Sequence, residues 1–256
     1  MERGSNGGRR LWRRMISRKG VLLLLTVASP FLLLQVLPAI IAGTQCGNSV
    51  AVHTPLRIAL VNTLSQNQDD SFVKAIGALA SNAGYGFDYY PFGQGSVDFF
   101  KHLPQKGYSI ILLRTDSDAV TGAVATSDRY SQYQYPGEQL SDSVARIKVN
   151  GTFYEYFGLT PKFIQNMCGR FSETTILAMG CFTMSSTDMA QAFVEKGAGA
   201  FVGWDKGVLA AYTDTVFASL LGLLLQGNPI SYSVNHVMQT FGPDPSYQAR
   251  LHYYPT

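Results

Sequence analysis

The sequence predicts an α/β fold, a mostly parallel sheet flanked by helices, behind an N-terminal transmembrane helix. Three observations carry that prediction. Residues 174–205, TTILAMGCFTMSSTDMAQAFVEKGAGAFVGWD, read as strand, loop, helix, glycine stop and strand within about thirty residues, which is a βαβ unit with a right-handed crossover. Residues 56–114 alternate short apolar runs with segments of helical spacing, the start of a doubly wound layer. Residues 21–43, VLLLLTVASPFLLLQVLPAIIAG, hold no charge over 23 positions, and about 20 apolar residues suffice to cross the hydrocarbon layer as a helix.

Charge is uneven along the chain. Residues 1–20 carry seven basic side chains against Glu2, a net +6, while the whole chain is +3, so the remainder is mildly acidic at −3. A basic nucleic-acid face on the folded part is therefore excluded, and nucleic acid is not an expected partner. The positive-inside rule keeps residues 1–20 in the cytoplasm, makes 21–43 a single-pass anchor in the cell membrane, and puts the domain outside. The competing reading is a cleaved signal peptide with an apolar core over 21–34 and small residues at Ala42 and Thr44, which would leave a secreted domain. A signal peptide's apolar region is usually about 7 to 15 residues, so the length favours the anchor.

Cysteines stand at 46, 168 and 181, which allows at most one bridge. Cys168 and Cys181 flank a strand, so they should lie roughly 20 Å apart at about 3.3 Å per residue, too far for a disulfide. Asn150-Gly151-Thr152 is an N-glycosylation sequon.

The elements follow in order. Residues 44–55 are a polar tether, and 56–62, LRIALVN, are the first strand. Phe72, Ile76, Leu79 and Ala80 give helical spacing over 71–83, ended by Gly84 and Gly86. A weaker strand at 87–90, a helix over 97–103 and a clear strand at 108–114 come next. Residues 115–162 break the alternation: they are long, polar and tyrosine-rich, with short strands at 123–126 and 145–149, and read as a hairpin excursion. A short helix covers 161–167. The strand 175–179 is apolar enough to be buried on both faces, and Gly180 and Cys181 end it. Residues 185–187 supply N-caps before a helix carrying Asp188, Met189, Ala192 and Phe193. After Gly197 come a strand at 198–204, an apolar helix over 212–225 that starts near Thr213 or Asp214, an amphipathic helix over 231–241 and an edge strand at 251–254. Parallel sheets bind ligands at the carboxyl ends of their strands, where Cys181 and Asp205 both stand.

The motifs AMGC (178–181) and FVGWD (201–205), behind that first half and the hairpin excursion, resemble the caspase-like fold shared by caspases, clostripain and gingipain-type peptidases, over about residues 56–238. The resemblance implies that Cys181, after the fourth strand, is the nucleophile, and that the catalytic histidine follows the third strand, at 115–118. That stretch reads Thr115-Asp116-Ser117-Asp118, so Asp116 occupies the position expected for histidine. The resemblance also implies that Trp204 walls a substrate pocket; Asp118 and Asp205 at the strand ends are further candidate binding residues, and Lys206 is a rim candidate or part of a solvated pair. The residues alone read Trp204 equally well as an aromatic packed under the helix at Tyr212. Asp214 is a further rim candidate or a helix-start residue, and the loop 130–135, YSQYQY, is a binding loop or a hairpin face.

A cysteine attacks only as thiolate, and a neighbouring imidazole both takes its proton and stabilises the anion. A carboxylate does the reverse: it is a poor acceptor for a thiol proton, and its charge raises the thiol pKa. The leading expectation is thus a membrane-anchored, catalytically degenerate cysteine-peptidase homologue that binds a peptide or protein partner and needs no cofactor. One alternative is an active cysteine peptidase whose Cys181 uses another base among His53, His102, His236 and His252. The other is a small-molecule or divalent-metal module at Asp116, Asp118 and Asp205, since Asp116-Ser117-Asp118 also resembles the Asp-x-Asp of haloacid-dehalogenase phosphatases.

Overall fold

The computed structural model of the chain describes Cys46 and residues 56–66, 69–149 and 151–256. The basic stretch 1–20, the segment 21–43, His53 and the sequon residue Asn150 lie outside the described residues. Among the described residues no helix is long and apolar enough to cross a membrane.

The first half alternates as expected: β1 (Arg57–Asn62), α1 (Asp70–Asn82), β2 (Gly86–Tyr90), α2 (Val97–Lys101) with a 3-10 turn (Leu103–Lys106), and β3 (Ile110–Arg114). An excursion follows with β4 (Val124–Arg129), α3 (Pro136–Leu140), β5 (Val144–Lys148), β6 (Glu155–Leu159) and α4 (Pro161–Gln165). The chain then adds β7 (Thr174–Ala178), α5 (Asp188–Glu195), β8 (Ala198–Trp204), α6 (Ala210–Leu225), α7 (Ile230–Phe241) and β9 (Leu251–Tyr254).

The main sheet has the order β2-β1-β3-β7-β8-β9, parallel throughout except for β9, which runs antiparallel to β8. β3 is buried along its whole length, and β8 in all but one position, so these strands carry continuous apolar runs rather than an alternating pattern. One face of the sheet packs Phe100 of α2, Phe163 and Ile164 of α4 and Phe193 of α5. The other packs Phe72 and Ile76 of α1, Phe217 and Leu220 of α6 and Val237 of α7. The helices begin where side chains can satisfy their first N–H groups: Asp69 accepts from the Ser71 and Phe72 amides, and Ser96 from Phe99. Thr187 holds the N-cap position of α5 without such a bond, and Ser186 Oγ accepts weakly from the Asp188 amide instead, at 3.4 Å.

The excursion is a three-stranded antiparallel sheet, β4-β6-β5, and not a two-stranded hairpin. Its central strand β6, EYFGL, is buried on both faces. It therefore lacks the alternation that marks a half-exposed strand, and Gly158 interrupts its apolar run. That glycine is needed, because a Cβ there would stand 2.9 Å from Ile147 of β5. Cys46 is joined to Cys168, closing a sequence separation of 122, and Cys181 is free, so Cys168 and Cys181 are unpaired with each other as their spacing predicts.

Candidate functional site

The site is built where the loops after β3 and β7 meet. A Cβ on Gly180 would lie 2.4 Å from the Thr115 carbonyl oxygen, so only glycine lets the two loops approach this closely. Ser117 Oγ donates to the Cys181 carbonyl and ties them together. Below, Thr115 Oγ1 lies 2.9 Å from Thr63 Oγ1, linking the end of β3 to the end of β1. Asp116 Oδ1 accepts from the Ser117 amide at 3.0 Å, and the Asp116 carboxylate lies close enough to the Cys181 thiol to raise its pKa. The structure thus brings together two of the residues singled out from sequence, Cys181 and Asp116.

The thiol is held from the other side as well. Val208 N–H donates to Cys181 Sγ at 3.3 Å, and the Val208 carbonyl lies 3.6 Å from the same sulfur. Burial pushes the thiol up to about 11; the Val208 amide works against this, and the charge of Asp116 adds to it. At neutral pH this cysteine is a protonated, hydrogen-bonded link between the loops after β7 and β8. His102 pairs with Gln105, His236 stacks on Tyr232 and His252 contacts Asp205. None of these described histidines hydrogen-bonds Cys181, so among the described residues no imidazole holds its proton.

Trp204 corrects the expectation of a pocket wall. It is fully buried, its ring packs on Tyr212 and Phe217, and its Nε1 donates to Thr213 Oγ1 at 2.9 Å. The alternation of β8 turns residue 204 towards the α6 face, and Thr213 meets the indole N–H, so full burial leaves no polar group unsatisfied. Asp118 accepts from the Thr121 amide and hydroxyl; the hydroxyl bond leads in holding its carboxyl below the ordinary range, and its role is to close a turn. Asp205 is occupied by the Arg250 amide at 2.7 Å and by His252 Nε2 at 3.3 Å, which fasten β9 to the end of β8. Each of these two carboxylates serves its own loop. Among the described residues no group of three or more His, Cys, Asp or Glu side chains could hold a metal, which corrects the divalent-ion reading of Asp116, Asp118 and Asp205. Lys206 is exposed, and its carbonyl accepts from the Phe182 amide.

Asp214 is not at a rim. It receives a two-pronged bond from Arg114, 2.8 Å to Nε and 2.7 Å to Nη2, with both side chains buried. This pair fixes the end of β3, one residue before the site, against α6. The signal for it was the arginine closing the apolar run YSIILLR, a charge too deep in a strand to be solvated and therefore in need of a partner. Asp244, fully buried, was not anticipated at all: it accepts from the Leu209, Ser246 and Tyr247 amides. A small cleft opens between Thr121, Pro161, Phe182, Ser186 and Met189, and Cys181 is not among the residues that line it. Phe182 takes the left-handed conformation at φ +57°, an unusual place for a bulky residue. No protein-family model matches the chain, and no curated protein matches it significantly.

Proposed function

We propose that the chain is a membrane-anchored, caspase-like domain that has lost peptidase chemistry and binds a peptide or protein partner. The observation that carries this is the Asp116 carboxylate against the Cys181 thiol, at the position where the resemblance calls for a histidine. Two further features support it. Cys181 follows the fourth strand of the main sheet in chain order and Asp116 the third, with the small antiparallel sheet interposed between them. The Cys46–Cys168 bridge favours an oxidising, extracytoplasmic setting for the domain. Peptide mapping of protein isolated from its own cells with free thiols blocked tests that setting; finding both cysteines reduced would sink it.

Alkylation of Cys181 as a function of pH tests the chemistry. The parent should titrate near 11. Asp116→Asn removes the opposing charge and should lower the midpoint; Asp116→His should lower it further, by about one unit or more relative to the parent, because an imidazolium stabilises a thiolate. Restored hydrolysis is not required, since a base alone supplies only about 10²- to 10⁴-fold. Coincident profiles for parent and Asp116→His would remove the main support for this reading. Peptide hydrolysis by the parent that disappears in Cys181→Ala would replace it with an active peptidase.

A further inference from the structure

We propose that the Cys46–Cys168 bridge seats the domain on the bilayer that holds the chain, with the pole around Cys168 against the lipid headgroups and the Cys181 site turned away from them; this rests on the membrane-anchored reading above and adds which face of the domain the lipid covers. The uncharged segment ends at residue 43, and Cys46 follows it by three positions. Three residues span at most about 11 Å. Because Cys46 is bonded to Cys168, the membrane end of the chain is tied to one spot on the domain by a link of that length. Cys181 lies beyond the five residues of β7, about 17 Å further along at about 3.3 Å per residue. The link is too short to bring that end of the sheet to the lipid.

Hydrogen bonds fix Cys168 at the amino ends of the strands. Its amide donates to the Lys101 carbonyl at 2.7 Å, just before the 3-10 turn that leads into β3, and the Phe171 amide donates to the Lys196 carbonyl at 3.0 Å, just before β8. The main chain enters at the same pole, since Leu56, 55% exposed, directly precedes β1, and β3 alone separates β1 from β7. Two links at one pole resist the tumbling that a single flexible tether allows. Asp116, Cys181 and Asp205 follow the other ends of β3, β7 and β8, and because these strands are parallel all three stand at the far pole. Charge does not choose the lipid. Lys196 Nζ donates to the Gln165 carbonyl while Gln165 Nε2 donates to Glu195, so opposite charges lie side by side. With the exposed His102 and Arg170 they make a mixed polar surface that suits headgroups of either kind, zwitterionic or anionic.

The test uses the full-length chain in phosphatidylcholine liposomes with the photo-crosslinker p-benzoylphenylalanine in place of His102 or Arg170 at the near pole, or of Val120 or Lys206 at the far pole, all four exposed. Lipid adducts formed on illumination are measured by mass spectrometry. Positions 102 and 170 should carry lipid, and 120 and 206 should not. Inserting about twenty glycine and serine residues between Gly43 and Thr44 keeps the bridge but lengthens both links, and should cut the adducts at 102 and 170 about tenfold, as effective concentration falls with linker length. Equal labelling of the two poles, heavier labelling at 120 and 206, no labelling at any position, or indifference to the insertion overturns the proposal. Flotation in alkaline carbonate separates the two claims: a chain that leaves the liposomes overturns the anchor and the seating with it, whereas a chain that stays with them and is labelled alike at both poles overturns the seating alone.

Discussion

Cys181 keeps its proton because burial and a neighbouring carboxylate both oppose the thiolate. Its folded pKa of about 11 exceeds the ordinary value of 9.0, so the native state binds the proton more tightly than the unfolded chain does. The resulting stabilisation is complete below about pH 9 and is lost as pH rises through about 11, and a two-unit shift makes it about 2.7 kcal/mol. Urea unfolding of parent and Cys181→Ala between pH 8 and 11 should show their stability difference shrinking by about that much. Tyr108 and Tyr135, whose pKa values burial raises, titrate alike in both proteins and cancel. A difference independent of pH would mean that the thiol is not in this environment. At this scale the sequence was legible wherever chemistry constrained position, as for Asp116 beside Cys181. It was not legible where side-chain direction decided the outcome: Trp204 and Asp214 stand at strand-end and helix-start positions that look like a rim, yet both turn inward.

The βαβ unit of β7, α5 and β8 was readable to within a residue or two at each boundary, since short apolar runs, a glycine stop and helical spacing all agree there. β6 was missed because a strand covered on both faces loses its alternation, and α3 because five residues give no period to detect. The glycine of the AMGC motif has an element-level role, to let the loop after β7 lie against the loop after β3. Gly180→Ala sets a methyl against a backbone oxygen at 2.4 Å, and no side chain can move aside to relieve it. We expect a loss of about 3 kcal/mol or more, in the range of severe core substitutions, together with faster alkylation of Cys181 as Asp116 is pushed away. Ser117→Ala removes only the hydroxyl tie between the same loops and should cost about 1 kcal/mol. Equal stability of Gly180→Ala and parent would show that the two loops are not in contact.

For the whole molecule, the cross-link from Cys46 to Cys168 closes 122 residues of chain, and loop-closure entropy for a ring of that size is worth about 5 kcal/mol. Cys168→Ser should therefore lower the unfolding free energy by several kcal/mol in urea titrations, and reductant should do the same to the parent but nothing further to the variant. A parent indifferent to reductant would mean that the link contributes nothing to stability. The parallel architecture was foreseeable from the apolar runs. The identity of the bonded pair was not, because spacing rules out only Cys168 with Cys181, and only the fold brings residue 46 to residue 168 rather than to 181.

A protein with one disulfide and an odd cysteine risks exchanging the wrong sulfur into the bond. Exchange proceeds through the thiolate, and at a pKa of about 11 only roughly one Cys181 in ten thousand is ionised at pH 7, against about one in a hundred for an ordinary thiol near 9. The rarer thiolate is intrinsically the stronger nucleophile, so the same surroundings slow the attack of Cys181 on the Cys46–Cys168 bond by about tenfold and help protect the pairing from scrambling.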